Sequence, residues 1–208
     1  MLQPTKIVCV GRNYVDHAKE LGNDMPKEPL IFLKPPSSLV ADGQLIHLPP
    51  VSKQVEYEGE IGIVIGARLS HADEGRAHAA IQGIVAVNDV TARDLQKSDS
   101  QWTRAKGFDT FCPVGAAGEP PRDLSLLTVV TRVNGKERQR GTAAQMAFPI
   151  AMVLSYISRI MTLEAGDLVA TGTPAGVGPL VPGDVVEVEV LGVSRVRNRV
   201  AAAPAPGT

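Results

Sequence analysis

The chain has 208 residues, with 21 Lys and Arg against 22 Asp and Glu and a formal charge of −1 at pH 7. That length suits one domain with a substantial core, and near-neutral, interspersed charge argues against nucleic acid or an anionic membrane as the main partner. No apolar run reaches the length of a membrane span, and the amino terminus lacks a signal peptide's charged-then-apolar pattern. Two scattered cysteines, Cys9 and Cys112, fit a reducing compartment better than a disulfide framework, so the expectation is a cytoplasmic protein.

Residues 6–10 read as a short buried strand that Gly11 breaks. Gly11-Arg12-Asn13 lacks the further glycines of a dinucleotide-binding fingerprint. Asn13 is placed to cap a helix over 14–21 that Gly22 ends. On that helix His17 and Glu20 lie three apart and share a face. Such a pair is either an imidazole oriented by a carboxylate, fit to activate water, or two solvated surface groups. Residues 30–34 read as a strand ended by Pro35-Pro36, and a short helix with flexible flanks before it suggests a lid. Lys34 either faces a bound anion or ends that strand in solvent. Residues 36–54 read as irregular or edge strand, with His47 in no special role.

Residues 55–66 read as one strand with Ile61, Ile63 and Ile65 on a single face. Ahead of them Glu56, Glu58 and Glu60 alternate, so their carboxylates project side by side. Like charges that close resist ionisation unless a cation joins them, although a solvated strand end would look the same. A helix over 73–81 leads into a second apolar run, 84–88, that ends at Asp89. Two carboxylates from one strand and one from another would make an oxygen triad suited to Mg²⁺ or Mn²⁺ rather than structural zinc. The alternative for Asp89 is a helix cap. Arg93 and Gln96, three apart, suit a carboxylate and an oxygen of a bound ligand; equally, Arg93 pairs with nearby acids to shape the site.

Residues 97–111 are polar and carry Trp102 and Lys106. Asn134-Gly135 between two alternating runs predicts a hairpin. The longest helix is expected to start near Thr142, with Met146, Ile150, Val153, Leu154, Ile157 and Ile160 on one buried face. The loop 172–178 has glycines that let backbone amides approach an anion, but it lacks the Gly-Lys-Ser/Thr of a nucleotide loop. Residues 185–190 and 193–200 alternate as paired strands, and the Ala- and Pro-rich tail reads as loose. Many short strands and few helices argue an α+β fold with a β-rich core.

Several of these stretches fall in one order along nearly the whole chain. They are Val10-Gly11-Arg12-Asn13-Tyr14 with His17 and Glu20, Glu28-Pro29-Leu30-Ile31-Phe32-Leu33-Lys34-Pro35, and Glu58-Gly59-Glu60. Asn88-Asp89-Val90-Thr91-Ala92-Arg93-Asp94 follows, then Trp102-Thr103-Arg104-Ala105-Lys106 with Cys112-Pro113, Val133-Asn134-Gly135 and 171–178. In this the chain resembles the fumarylacetoacetate hydrolase family, and within it the short, single-domain, acylpyruvase-like members.

The resemblance implies a mixed β-roll forming one catalytic domain over 1–200, a flexible tail over 201–208, and a homodimer. It implies one Mg²⁺ or Mn²⁺ per subunit on Glu58, Glu60 and Asp89. His17, Glu20 and Lys106 would be catalytic, and Arg93, Gln96 and Thr173 would bind substrate. The expected activity is hydrolysis of a carbon–carbon bond in fumarylpyruvate- or maleylpyruvate-type acylpyruvates. The alternative is an isomerase of 2-hydroxyhepta-2,4-diene-1,7-dioate or an oxaloacetate decarboxylase of aromatic-compound catabolism.

Overall fold

Aliphatic residues buried on both faces of one strand mark the centre of the fold. The computed structural model describes residues 2–20, 22 and 24–203. In chain order the first strands are β1 (Ile7–Gly11), β2 (Leu30–Lys34), β3 (Leu39–Ala41), β4 (Leu45–Leu48), β5 (Val55–Tyr57), β6 (Gly59–Ile65), β7 (Ile81–Asn88) and β8 (Thr91–Ala92). The others are β9 (Cys112–Val114), β10 (Thr128–Val133), β11 (Lys136–Thr142), β12 (Leu168–Ala170), β13 (Gly178–Pro179), β14 (Val185–Val190) and β15 (Ser194–Ala202). The α-helices are short: α1 (Val15–Glu20), α2 (Glu74–Ala79), α3 (Arg93–Ser98), α4 (Thr103–Lys106) and α5 (Ile150–Ile160).

The strands form curled sheets: a seven-stranded one in the order β2-β1-β12-β6-β7-β9-β3, a five-stranded one, β11-β10-β14-β15-β4, and a three-stranded one, β13-β5-β8. Pairings β1–β12, β3–β9 and β15–β4 are parallel and the others antiparallel, so the architecture is mixed α+β dominated by strands. Central β6 lies between β12 and β7. One face sends Ile61, Ile63 and Ile65 against Val153, Leu154 and Ile157 of α5. The other packs Val64 with Val85, Val87 and Leu168. The acids at the start of β6 therefore lie at the mouth of a buried strand.

Local chemistry accounts for the boundaries. The 55–66 run is two strands, not one: the chain changes sheets at Glu58, leaving β5 in the three-stranded sheet. α5 starts later than the apolar spacing implies, because Pro149 fixes extended geometry (ψ 152°) at its N-cap. Thr142 and Gln145 instead close a capping box around a short 3-10 turn. Met146 is buried ahead of the helix, whereas Ile160 at its end is 54 % exposed. The hairpin stands where expected, with Asn134 (φ 52°) and Gly135 (φ 78°) both left-handed as a type I′ turn requires. Strand β15 runs through Ala202 and pairs with β4, so the proposed tail begins later than 201; residues 204–208 lie outside the described residues. Cys9 and Cys112 are buried free thiols. Among the described residues no helix is long and apolar enough to cross a membrane.

Candidate active site

The switch between sheets puts the acids where they meet. The Glu58 amide donates to Asn88 Oδ1 (3.0 Å), and the Asp89 amide donates to the Glu58 carbonyl (2.8 Å). These bonds hold the start of β6 against the end of β7. Glycine at 59 lets the start of β6 lie close against β10: a Cβ there would stand 1.9 Å from Thr131 Oγ1. The result is a buried cluster in which carboxylate oxygens of Glu58, Glu60 and Asp89 lie within 4.8 Å of one another.

Cations pack around this cluster. Lys106 Nζ donates to Glu58 Oε2 (2.8 Å) and Asp89 Oδ2 (2.5 Å). Arg93 donates through Nε to Glu56 (2.8 Å), and its two terminal nitrogens reach Gln96 Oε1 and Glu58 Oε1. Lys34 neither faces a free anion nor ends in solvent; it is 1 % exposed and donates to Asp89 Oδ1 (2.6 Å) and the Val90 carbonyl. Glu56, alternate in sequence with the other two glutamates, does not join the triad: Arg93 and Gln54 hold it apart.

Burial alone would raise the Glu58 carboxyl, but Lys106 and then Arg93 overcome this and hold it below the ordinary carboxylate range. Glu60 goes the other way. Burial first, then the charges of Asp89 and Glu58, push it well above that range. Burial works against a charged Lys106, yet Asp89 and Glu58 outweigh it and keep the ammonium protonated.

A hard divalent cation fits this donor set. The three converging acids offer only oxygen ligands, and four carboxylates (Glu56, Glu58, Glu60, Asp89) face three basic side chains (Lys34, Arg93, Lys106). Glu60, which no basic side chain contacts among the described residues, is the acid whose ionised form a bound cation would favour.

The glycine loop supplies amides to carboxylates of the chain itself. Gly172, left-handed at φ 102°, donates its N–H to Glu60 Oε2 (2.7 Å), and Gly176 donates to the Glu20 carboxylate (3.1 and 3.2 Å). Asn13 does not cap α1. Its side chain instead accepts from the Phe148 amide and donates to the Phe148 and Thr171 carbonyls. Thr173 Oγ1 donates to the Gly59 carbonyl (2.9 Å) and accepts from Gln139 Nε2 (2.8 Å), so its proton is already committed. Gln139 Oε1 in turn accepts from the Gly59 amide, so a residue of the hairpin, read from sequence as scaffold, braces the cluster.

The cluster opens into a cavity of about 240 Å³. Its wall includes Glu58, Glu60, Asp89, Arg93, Gln96, Lys106 and Thr173. His17 and Glu20 do not line it. His17 is buried on α1, 3.3 Å through Nδ1 from Glu20 Oε2. Sequence reasoning missed Lys34 as a partner of Asp89 and Gln139 as a brace. For Lys34 the one available signal was its place at the end of an otherwise apolar strand.

The family model described as fumarylacetoacetate (FAA) hydrolase C-terminal matches residues 6–201. The chain belongs to this family. It is 44 % identical to the mitochondrial oxaloacetate tautomerase of Arabidopsis thaliana, over 94 % of this chain and 90 % of that one. A 5-carboxymethyl-2-hydroxymuconate delta-isomerase structure from Mycobacterium smegmatis superposes with a TM-score of 0.90 at 40 % identity, covering 98 % of this chain and 81 % of that one. The fumarylpyruvate hydrolase of Pseudomonas aeruginosa, solved with Mn²⁺ and pyruvate, gives 0.89 at 30 % identity, covering 97 % and 91 %. The named relatives are enzymes of several reaction types, and one of them holds a divalent ion.

Proposed function

We propose that this family member is a divalent-metal-dependent enzyme acting on small 2-oxo acids, and that it cleaves the carbon–carbon bond of an acylpyruvate to give pyruvate and a carboxylic acid. One observation carries the reading: three carboxylates and a protonated Lys106 meet at a single cavity. Glu58, Glu60 and Asp89 would hold Mg²⁺ or Mn²⁺, which when bound supplies positive charge to fix and polarise the oxygens of an oxo acid.

The side chains do the rest. Two of the three Lys106 N–H bonds go to Glu58 and Asp89, leaving one for an oxygen that gains charge. Arg93 has five N–H bonds, and three are committed to Glu56, Glu58 and Gln96, so two remain for a substrate carboxylate. Gln96 Oε1 accepts from Arg93, and its amide N–H groups have no acceptor among the described residues, which leaves them to donate to substrate. Thr173 contributes a lone pair only. With Nδ1–H directed at Glu20, His17 keeps the Nε2 lone pair to take a proton from water. That water attacks the distal carbonyl, the carbon–carbon bond breaks, and the pyruvate enolate takes up a proton.

A second reading is keto–enol conversion or decarboxylation of oxaloacetate. It needs no activated water, and it is favoured by the position of His17 and Glu20 off the cavity wall and by the name of the 44 % identical plant relative. The test is to follow products by NMR after mixing Mg²⁺- or Mn²⁺-loaded protein with fumarylpyruvate, acetylpyruvate, oxaloacetate and a 2-hydroxydienedioate. Pyruvate plus an acid is the expected result. Carbon dioxide from oxaloacetate, or enol exchange without cleavage, selects the second reading. Glu58→Ala should abolish every activity, and His17→Ala should remove hydrolysis alone; hydrolysis that persists without His17 rejects it as the base.

A further inference from the structure

We propose that the cavity between α2 and the start of α5 is a second ligand site, for a small carboxylic acid with an apolar body, and that it is linked to the helix carrying His17 and Glu20. This cavity is about 630 Å³, against about 240 Å³ at the acid cluster, and the two share no lining residue. Pro149 delays α5, so residues 143–148 run as a 3-10 turn and extended chain. A second 3-10 turn, Leu124–Leu126, lies beside them, tied by the Ala143 amide donating to the Leu127 carbonyl (2.8 Å). The space between the turns is walled by Leu124, Leu126, Met146, Pro149 and Ile150. A volume of this size with an apolar wall and few polar groups is the usual form of a small-molecule site. Leu126, 72 % exposed, is apolar surface that an occupant would take out of water.

The charges at the rim select the kind of ligand. Asp123 accepts from the Ser125 amide (3.0 Å) and hydroxyl (2.7 Å), which turns its carboxylate into its own loop. Arg122 and His78 line the cavity with no side-chain hydrogen bond or ion pair among the described residues. The group left to meet a ligand is therefore a guanidinium, whose fork of N–H bonds matches a carboxylate.

The same wall is bonded to the start of α1. Met146 forms a β-bridge with Tyr14, and the Ala147 amide donates to the Asn13 carbonyl (2.8 Å). Phe148 exchanges two hydrogen bonds with the Asn13 side chain. Tyr14 immediately precedes α1, and Gly11 lies so near Trp102 that a Cβ there would stand 3.1 Å from the ring. An occupant that displaces 146–149 is thus felt both at the entry to α1 and at Trp102, through one contiguous set of bonds.

The probe is octanoate, titrated into the Mg²⁺-loaded protein. Acetate, with the charge and no chain, and 1-octanol, with the chain and no charge, are the controls. Met146 is one of five methionines, and its ¹³C-methyl resonance, assigned with Met146→Leu, reports occupancy. Trp102, the sole tryptophan, reports the link by fluorescence. Neither readout uses turnover, so the outcome is independent of the oxo-acid reading. Octanoate should bind at least about a hundredfold more tightly than acetate, from burial of several methylenes. It should bind up to about fivefold more tightly than 1-octanol, as one exposed ion pair allows. Arg122→Gln should remove the second margin and keep the first. Ala144→Phe, a change at an exposed position of the wall, should fill the cavity and abolish both signals. A Trp102 response without a Met146 shift, or one that survives in Ala144→Phe, puts octanoate at the acid cluster and overturns the site. So does a Met146 resonance that moves with protein concentration alone, which assigns this wall to contact between copies. Octanol bound as tightly as octanoate overturns the acid as ligand class, and a Met146 shift with Trp102 unmoved overturns the link.

Discussion

Lys106 is a buried cation that joins two acids, each with one other basic partner, Asp89 with Lys34 and Glu58 with Arg93. Its Nζ holds Glu58 and Asp89 together and lies 4.9 Å from the centre of the Phe32 ring. Replacing it with Met keeps the volume and leaves Asp89 with Lys34 alone and Glu58 with Arg93 alone. Removing one partner of a buried ion pair costs about 3–5 kcal/mol, so Lys106→Met should lower unfolding stability by that order in a chelating buffer. Because a divalent cation can take over the neutralising role, Mg²⁺ should restore more stability to the variant than it adds to the wild type. Urea melts with and without Mg²⁺ measure both effects; a variant as stable as wild type in chelator would show that Lys106 is not what keeps the acids charged. Turnover should fall by about 10²–10³, the loss that follows removal of one donor to a developing oxyanion.

At the scale of elements, the close approach of β6 to β10 and β14 is set by what is absent from residue 59. A methyl group there meets Thr131 Oγ1 at 1.9 Å, with Thr131 Cβ and Val188 Cγ1 both at 3.2 Å. Gly59→Ala should therefore destabilise by about 1–3 kcal/mol, as overpacking does. Adding Thr131→Ala should recover part of the loss, because it removes the closest atom. A double-mutant cycle by calorimetry decides this, and strictly additive losses would place the strain elsewhere.

The same element shows what could be read locally and what could not. The alternation of Ile61, Ile63 and Ile65 and the Asn134-Gly135 turn are carried by residues next to one another, so both were legible. So was the placing of Glu58, Glu60 and Asp89 at strand mouths. The break at Glu58 was not, because it depends on Asn88, 30 residues from Glu58, and on Gln139, 80 residues from Gly59. Asn13, Lys34 and Gln139 were misread for a common reason: a buried polar side chain has the same composition signal as a solvated one. Only its partner distinguishes the two, and for these residues the partner lies on a distant element.

For the molecule as a whole, the central sheet closes by joining segments near the two ends of the chain. Strands β1 and β12 pair in parallel, Ile7 opposite Leu168, and β12 in turn pairs with β6. Asp167 fastens that join. Its Oδ1 accepts from the Thr5 amide (2.9 Å), the Thr5 hydroxyl (2.7 Å) and the Lys6 amide (3.1 Å), while Oδ2 accepts from the Glu164 amide (2.8 Å) and pairs with Lys6 Nζ. Burial would raise this carboxyl, but Lys6 and the amide and hydroxyl donors prevail and hold it below its ordinary value. A carboxyl depressed in the folded state takes its proton first in the unfolded chain. Its contribution is therefore complete above the ordinary aspartate value of about 3.9 and is lost as pH falls through the depressed folded value. The stability difference between wild type and Asp167→Asn, taken from urea melts, should be constant from pH 7 to 5 and shrink at lower pH. A difference that stays level down to pH 3 would mean that the charge on Asp167 does not hold the join, and that neutral hydrogen bonds suffice to seat β1 and β12 beside the strand that leads from the acid cluster.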